Sequence, residues 1–349
     1  VGAILALLIA GAVALYQLVL RPARQRVLEQ AAPYRIYFTQ GDAGTAAPQG
    51  LEAEIVADVA AARESVDVAT PGLDLPELTA GLIAAQGRGV LVRVLQDGAA
   101  QSGAAVATAT TRLQDAGVPV VFHPPDGALG ESFLVVDQRL VWAGSCTLSQ
   151  AGLQQDSSFI LRWQLPPLAK AFHGEFIEMF EGGSFGPASP AEPLTYHAIP
   201  DHGRVWVYFT PEADPLAEIL QTLTKAQSMI VAFSEKLNDQ RLGDRLVGES
   251  RRPGIGLWAI VDPQGGSSTS ILEELGKKAV QVTTYRGSGR LRENVIVIDG
   301  QFLFLFSQPM DQQGLDHNDG FVLVVQDEAL GNAFAKEFAR LFGRPPGEP

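Results

Sequence analysis

The chain has 349 residues, of which 46% are hydrophobic and 19% charged, a composition typical of globular rather than disordered proteins. This length suits two ordinary domains or one large unit of two halves. A formal net charge of -13 disfavours binding to the phosphate backbone of nucleic acids. The single cysteine, Cys146, excludes an intramolecular disulfide and a cysteine-rich zinc site.

The N-terminal stretch predicts a membrane anchor. Residues 1–20 carry no charge and only one strongly polar side chain, Gln17. As a helix they would extend about 30 Å, the thickness of the hydrocarbon core of a bilayer. A signal peptide would have a shorter apolar region and a cleavage site, whereas here the polar stretch "RPARQRVLEQ" follows. We therefore expect a single transmembrane helix at 1–21 and a juxtamembrane segment at 22–33.

Strand and helix signals then alternate along the chain. The helical spacing of apolar residues predicts helices at 50–63, from Pro76 onward and at 104–116. Apolar runs predict strands at 35–38, 65–70, 89–97, 118–123, 132–137 and 139–144. A closing helix at 171–180 carries a phenylalanine stripe typical of core packing. The alternation predicts an α/β fold with a mainly parallel central sheet.

The second half of the chain repeats the first. "YRIYFTQ" near Tyr37 returns as "VWVYFTP" near Tyr208. "FLVVDQRLVWAGS", ending at Ser145, returns as "VIVIDGQFLFLFS", ending at Ser307. "AFHGEFIEMF" likewise returns as "AFAKEFARLF". Three motifs in the same order predict a duplicated unit, with a first repeat at 34–186, a linker at 187–203, a second repeat at 204–343 and a tail at 344–349.

These repeated motifs resemble the phospholipase D superfamily, and the resemblance covers Tyr34 to Phe342. It implies two tandem α/β repeats packed as a pseudo-two-fold unit. In that family each repeat carries a His-x-Lys-x-x-x-x-Asp motif. One histidine forms a phosphohistidine, the other protonates the leaving group, the lysines hold the phosphoryl oxygens and the aspartates orient the histidines. The family needs no metal or other cofactor for this chemistry.

Both motifs are substituted in this chain. Asp137 and Asp299 match the two aspartates of the motif. The histidine and lysine positions are then Gly130 and Ser132 in the first repeat, and Arg292 and Asn294 in the second. The asparagine that the family has after its Gly-Ser turn is replaced as well, by Thr147 and Pro309. The resemblance therefore predicts the scaffold of a phosphodiesterase site without its nucleophile, its acid or its lysines.

Arg292 has two interpretations. A guanidinium can hold a phosphate in a forked geometry, so Arg292, with Ser145 and Ser307, would form an anion-binding site. The alternative, which we favour, is an ion pair with Asp137, Asp299, Glu293 or Glu131. Of the five histidines, only His123 and His317 are placed where they could lie near the former pocket. No cluster of histidine and cysteine predicts a metal site.

Three functions are then open. The favoured one is a catalytically inactive, membrane-anchored phospholipase D-like protein that acts as a scaffold or accessory subunit of a membrane assembly, with protein partners and no cofactor. The second is a non-catalytic binding module for a phosphate-bearing or other anionic ligand, and the third is an active phosphodiesterase. Relatives with a hydrophobic N-terminus are exported, so we predict that the globular part lies outside a bacterial cytoplasmic membrane, although the arginines after the span favour the cytoplasm.

Overall fold

The computed structural model describes residues 32–39, 50–190, 194–267, 269–276 and 280–343. The predicted membrane anchor, most of the predicted juxtamembrane segment and the predicted tail lie outside these ranges. Within them, no helix has both the length and the apolar character needed to cross a bilayer.

The first repeat forms one sheet with helices on both faces. Its strands are β1 (Tyr34–Thr39), β2 (Ser65–Thr70), β3 (Leu91–Asp97), β4 (Val120–His123), β5 (Phe133–Val136), β6 (Leu140–Gly144) and β7 (Ser158–Trp163). Its helices are α1 (Leu51–Ala61), α2 (Pro76–Gly87), α3 (Ala104–Asp115), the short α4 (Gln150–Gln154) and α5 (Pro166–Phe180).

The second repeat follows the same plan, preceded by one additional strand. Its strands are β8 (His197–Ile199), β9 (Gly203–Thr210), β10 (Met229–Ser234), β11 (Gly256–Val261), β12 (Gln281–Thr284), β13 (Asn294–Ile298), β14 (Phe302–Phe306) and β15 (Gly320–Gln326). Its helices are α6 (Leu216–Leu223), α7 (Gln240–Ser250), α8 (Thr269–Gly276), the short α9 (Gln312–Asp316) and α10 (Glu328–Phe342). The predicted duplication is thus present in the fold.

Both sheets are mixed, so the prediction of a mainly parallel sheet is wrong. The strand order of the first sheet is β1-β7-β6-β5-β2-β3-β4, and β2, β3 and β4 pair in parallel while the other neighbours are antiparallel. The strands β5 and β6 are joined by only three residues, residues 137–139, and so short a connection permits only antiparallel pairing. A continuous apolar run in the sequence does not distinguish the two arrangements.

The closing helix of each repeat lies between the two sheets and joins them into one core. Phe172 of α5 contacts Phe133 of the first sheet and Phe209 and Phe321 of the second, each with an edge-to-face ring geometry. Phe334 of α10 contacts rings of both sheets in the same way. The predicted phenylalanine stripe is therefore core, and it fixes how the two repeats face each other.

The outer edges of β1 and β9 differ. These strands are equivalent in the two repeats, but β9 pairs with β8 on its outer side, whereas β1 is the edge strand of its sheet among the residues that the structure describes. The strand β8 lies within the stretch predicted to be the linker. Its presence means that the pseudo-symmetry of the molecule is broken at one edge.

Candidate functional site at the junction of the repeats

The substituted motif positions meet where the repeats contact each other. The backbone N–H of Gly130 donates to the carbonyl of Asp319 in the second repeat at 2.7 Å. The N–H of Arg292 donates to the carbonyl of Ser157 in the first repeat, also at 2.7 Å. Because the two contacts are equivalent by pseudo-symmetry, each histidine position of the family lies against the strand entry of the opposite repeat.

In the first repeat the space beside Gly130 is filled. A Cβ added to Gly130 would lie 2.2 Å from the side-chain oxygen of Gln308. The amide nitrogen of Gln308 donates to Thr210 Oγ1 at 3.1 Å and to the carbonyl of Gly314. The glutamine, which comes from the second repeat, thus occupies the volume into which a side chain at position 130 would extend.

Ser132, at the lysine position of the first motif, points into the protein. Its hydroxyl donates to the carbonyl of Cys146 at 2.7 Å, and the residue is 2% exposed. Asn294, its counterpart, accepts a hydrogen bond from the N–H of Glu235 at 2.9 Å and donates to the carbonyl of Arg292 at 3.1 Å. Both lysine positions are therefore occupied by short polar side chains that bond to nearby backbone.

A buried group of carboxyls lies behind Gly130. Glu131 is fully buried, and neither of its carboxyl oxygens has a hydrogen-bond partner in the part of the chain that the structure describes. Burial raises the pKa of Glu131 well above its ordinary value, and the neighbouring charges of Asp319, Glu212 and Glu178 raise it further. The pKa of Glu175 on α5 is raised in the same way. For Glu131 and Glu175, burial therefore favours the protonated, neutral form of the carboxyl group.

His123 balances part of this acidity. Its Nε2 lies 2.5 Å from Asp319 Oδ2 and its Nδ1 lies 2.7 Å from the carbonyl of Pro124, so both ring nitrogens face acceptors. Burial opposes a charge on the ring, but the bonds to Asp319 and Pro124 outweigh it and the pKa of His123 is raised. His123, one of the two histidines that the sequence allowed near the former pocket, therefore lies beside it, buried and hydrogen-bonded to Asp319. His317 is exposed.

In the second repeat Arg292 reaches a different environment. Its Nη1 donates to both carboxyl oxygens of Glu235, at 2.9 and 3.1 Å, and its Nε lies 3.5 Å from Asp156 Oδ2. The side chain is 41% exposed, but Nε is buried and makes no hydrogen bond with any described residue. Arg292 thus forms an ion pair as we favoured, but its partners are none of the four carboxylates that we named.

A second guanidinium shares the same carboxylate. Arg290 donates to Glu235 Oε1 at 3.1 Å and to Asp262 Oδ2 at 3.0 Å, and its side chain is 32% exposed. Burial raises the pKa of Glu235, although the two arginines oppose this shift. Two partly exposed guanidiniums, joined by one carboxyl, could accept a phosphate group.

Ser145 and Ser307, predicted to help bind an anion, lie at equivalent sheet positions. The hydroxyl of Ser145 accepts from the N–H of Phe159 at 3.3 Å, and that of Ser307 accepts from the N–H of Phe321 at 2.9 Å. Both serines are buried. Each hydroxyl satisfies a backbone donor at the start of the following strand.

Asp137 and Asp299 lie at the other end of β5 and β13 from the histidine positions. Both adopt positive φ values of 50°. Asp137 accepts from the backbone N–H of Glu64 at 2.7 Å and of Ser65 at 3.0 Å, and Asp299 accepts from those of Ser228 and Met229 at 2.9 Å. The implied role of orienting the histidine position is therefore not what these side chains do here, because they anchor the entry to β2 and β10.

Sequence reasoning missed Gln308, Glu235 and Asp156. Glu235 had a usable signal, since it directly follows the buried strand β10. Gln308 and Asp156 had none, because their contacts depend on how the repeats pack. Among the described side chains, no group of three or more histidines, cysteines, aspartates or glutamates is arranged to hold a metal ion.

Comparison with known proteins places this geometry in a family. The family model described as "Cardiolipin synthase, PLD-like domain" matches residues 55–180 and 219–342, one match in each repeat. The resemblance to the phospholipase D superfamily is thereby confirmed. No functionally curated protein shows significant sequence similarity to the chain.

Solved structures agree on the fold. Phosphatidylserine synthase from Haemophilus influenzae Rd KW20 is 13% identical with a TM-score of 0.66, and the match covers 91% of this chain and 90% of that one. Polyphosphate kinase from Porphyromonas gingivalis is 12% identical with a TM-score of 0.62, over 88% of this chain and 50% of that one. Nuc, a phospholipase D family member from Salmonella typhimurium, is 20% identical over 42% of this chain and 93% of its own, with a TM-score of 0.38.

These comparisons correct one expectation. From the substituted motifs we expected that the chain is not an enzyme. The family model that matches both repeats is described by the name of an enzyme, which contradicts that expectation. The substitutions change which residues occupy the junction, and they do not by themselves show that the chain is inactive.

Proposed function

The chain belongs to the family of phospholipase D-like domains described for cardiolipin synthase, and from this premise we propose that it binds a phosphatidyl-group lipid at the junction of its repeats. Arg292 is the phosphate-contacting residue in this proposal, and Arg290 assists it. The phosphatidyl group is the ligand class because the matching family is described by the name of cardiolipin, a lipid with two phosphatidyl groups, and one structural relative is a phosphatidylserine synthase.

The observation that carries the proposal is the partly exposed Arg292 side chain at the histidine position of the second motif. Its Nη1 contacts Glu235, its Nε is buried beside Asp156, and Arg290 contacts the same glutamate. A phosphodiester has two non-bridging oxygens that share one negative charge and can accept hydrogen bonds from the N–H groups of a guanidinium. Binding would compete with Glu235, whose pKa is raised by burial while the two arginines oppose that shift.

The test is lipid binding by the full chain in detergent. Short-chain phosphatidylglycerol is a suitable probe, because a phosphodiester keeps its charge over the accessible pH range. We expect Arg292→Gln to weaken binding at least tenfold, since a charge-assisted hydrogen bond contributes about 1.5 to 3 kcal/mol. Arg251→Gln is the matched control, because Arg251 is 54% exposed on the side chain and belongs to a separate ion pair with Glu274.

Release of the lipid headgroup should be followed in the same samples. Headgroup release that depends on Arg292 would extend the proposal from binding to catalysis. Equal affinity of the unaltered chain, Arg292→Gln and Arg251→Gln would overturn it.

A role as an accessory subunit of a membrane-associated assembly is the second candidate. The open edge of β1 favours it, because an unpaired strand edge is a common docking surface for another protein. The predicted anchor at 1–21, with the globular part outside the cytoplasmic membrane, would place this edge close to a bilayer. Gentle solubilisation of native membranes followed by size fractionation is the test, and migration as a lone chain would count against this role.

A further inference from the structure

The two repeats carry equivalent grooves. Among the described residues, only the groove beside β9 has an additional strand, β8, paired along its edge. Beside β1, a groove of about 600 Å³ lies between this strand and α10. Beside β9, the equivalent groove against α5 measures about 380 Å³, and Leu194, Thr195 and His197 from the β8 segment form part of its wall. The chain itself therefore shows what fits at this position of the fold.

The strand β8 occupies its edge by backbone pairing. Its three residues run antiparallel to β9, with His197 opposite Val205 and Ile199 opposite Gly203. Ile199 is 2% exposed, so the strand also buries an apolar side chain. Among the described residues, no strand pairs with the outer edge of β1. An edge without a neighbouring strand presents backbone N–H and C=O groups that an incoming strand can pair with.

The open groove combines an apolar floor with a basic rim. Ile36, Phe38 and Leu330 contribute to the floor. Lys336 is exposed at the rim and forms no ion pair with any described residue. Arg35 and Arg340 pair with Glu54 and Glu337, so that Lys336 leaves an excess of positive charge.

We propose that this groove binds an extended acidic segment of a partner protein, which adds as a strand to the outer edge of β1 and places an apolar side chain against Leu330 and Ala333. The inference deepens the proposed role as an accessory subunit. Backbone pairing provides affinity in such complexes, and the side chains of the added strand provide specificity.

Charge disfavours two other occupants. The chain that precedes β1 carries Arg21, Arg24 and Arg26 and only one acidic residue, Glu29, so its charge has the same sign as the rim. A second copy of the chain would bring an identical basic rim to this groove. The two copies would also repel each other, because each has a formal net charge of -13. An acidic segment complements Lys336.

The probe is a fluorescent peptide of residues 194–200, "LTYHAIP", preceded by two aspartates, and binding to the full chain in detergent is measured by anisotropy. A second peptide carries two lysines instead. We expect the acidic peptide to bind at least about threefold more tightly than the basic peptide, because an exposed ion pair with Lys336 contributes little more than that. Lys336→Glu should reverse this order.

Ala333→Trp fills the groove and should weaken binding of the acidic peptide more than tenfold. Ala171→Trp is the matched control, because Ala171 occupies the equivalent position in the smaller groove. Lys336→Glu, on the surface, keeps the test decisive if the tryptophan disturbs folding.

Three results would overturn the inference: no saturable binding at millimolar peptide, equal affinity for the acidic and basic peptides, or self-association of the chain that Lys336→Glu abolishes. The last result would assign the groove to a second copy. Neither groove variant alters Arg292, so lipid binding should be unchanged, and failure of one proposal remains distinguishable from failure of the other.

Discussion

In the first repeat, the family's histidine position is Gly130, and Gln308 fills the space beside it. In the second repeat the same position is Arg292, whose side chain remains 41% exposed and reaches Glu235. The backbone contacts of the two positions are equivalent. The difference shows that a duplicated scaffold can close one half of a junction and leave a charged, accessible group in the other.

The glutamates next to these positions differ in the same way. Glu131 and Glu293 are both fully buried with raised pKa values, each caused mainly by burial. Glu293 accepts a hydrogen bond from Ser157 Oγ at 2.9 Å, whereas Glu131 has no hydrogen-bond partner among the described residues. Asp319 is the counterpart of Ser157, and its carboxylate cannot donate to Glu131.

Restoring a histidine to the first repeat gives the largest expected effect. Gly130→His should lower the free energy of unfolding by about 2 to 3 kcal/mol, because the side chain collides with Gln308. Urea denaturation measures the loss. Gln308→Ala in the same chain should recover part of it, and a loss that is equal with and without Gln308 would contradict the steric account.

The second largest expected effect is the difference in stability between variants of the two buried glutamates, Glu131 and Glu293. Since the pKa of Glu131 is raised in the folded state, the stability linked to this group is present at low pH and is lost as the pH rises through that pKa. Glu131→Met should therefore raise the free energy of unfolding by about 1 to 3 kcal/mol at high pH, with a smaller gain at low pH.

Glu293→Met is the comparison for this change. It also removes the bond to Ser157, so its gain should be smaller. Thermal unfolding of both variants across pH measures the difference. Equal gains would show that the missing partner of Glu131 has no consequence.

The conserved plan of the repeats predicts equal effects at Asp137 and Asp299. Replacing either by asparagine places an amide N–H against backbone donors and should cost about 1 to 2 kcal/mol. Backbone hydrogen bonds outweigh burial and lower the pKa of Asp299, so its contribution is present at neutral pH and is lost as the pH falls through that pKa. Denaturation curves at neutral pH test the equality, and a change in lipid affinity would indicate a role beyond anchoring.

The smallest expected effect concerns Glu235, whose counterpart after β2 is Pro71. Glu235→Gln should strengthen phosphatidylglycerol binding about threefold, because it removes the charge that competes with the phosphate. In the unaltered chain the affinity should rise as the pH falls through the raised pKa of Glu235, and the variant should lack this dependence. Isothermal titration at several pH values measures both, and an unchanged pH profile would assign the dependence elsewhere.

The sequence by itself determined the duplication, most strands and helices and the positions aligned with the motif. Apolar runs such as 132–137 and the phenylalanines of α5 carry this information locally, because their burial follows from spacing alone. The sequence also predicted that Arg292 forms an ion pair with a carboxylate, because many acidic residues lie near it in the sequence. The direction of strand pairing was not predictable in this way.

Only the tertiary structure decided which groups meet at the junction. Gln308 reaches Gly130, Glu235 reaches Arg292 and Ser157 reaches Glu293 across separations of 57 to 178 residues. The contacts of Gln308 and Ser157 depend on how α5 and α10 set the two sheets against each other, whereas that of Glu235 depends on the pairing of β10 with β13 in one sheet. No spacing within a motif encodes either arrangement. The open edge of β1 is of the same kind, because the strand itself resembles β9 and only the neighbouring β8 distinguishes them.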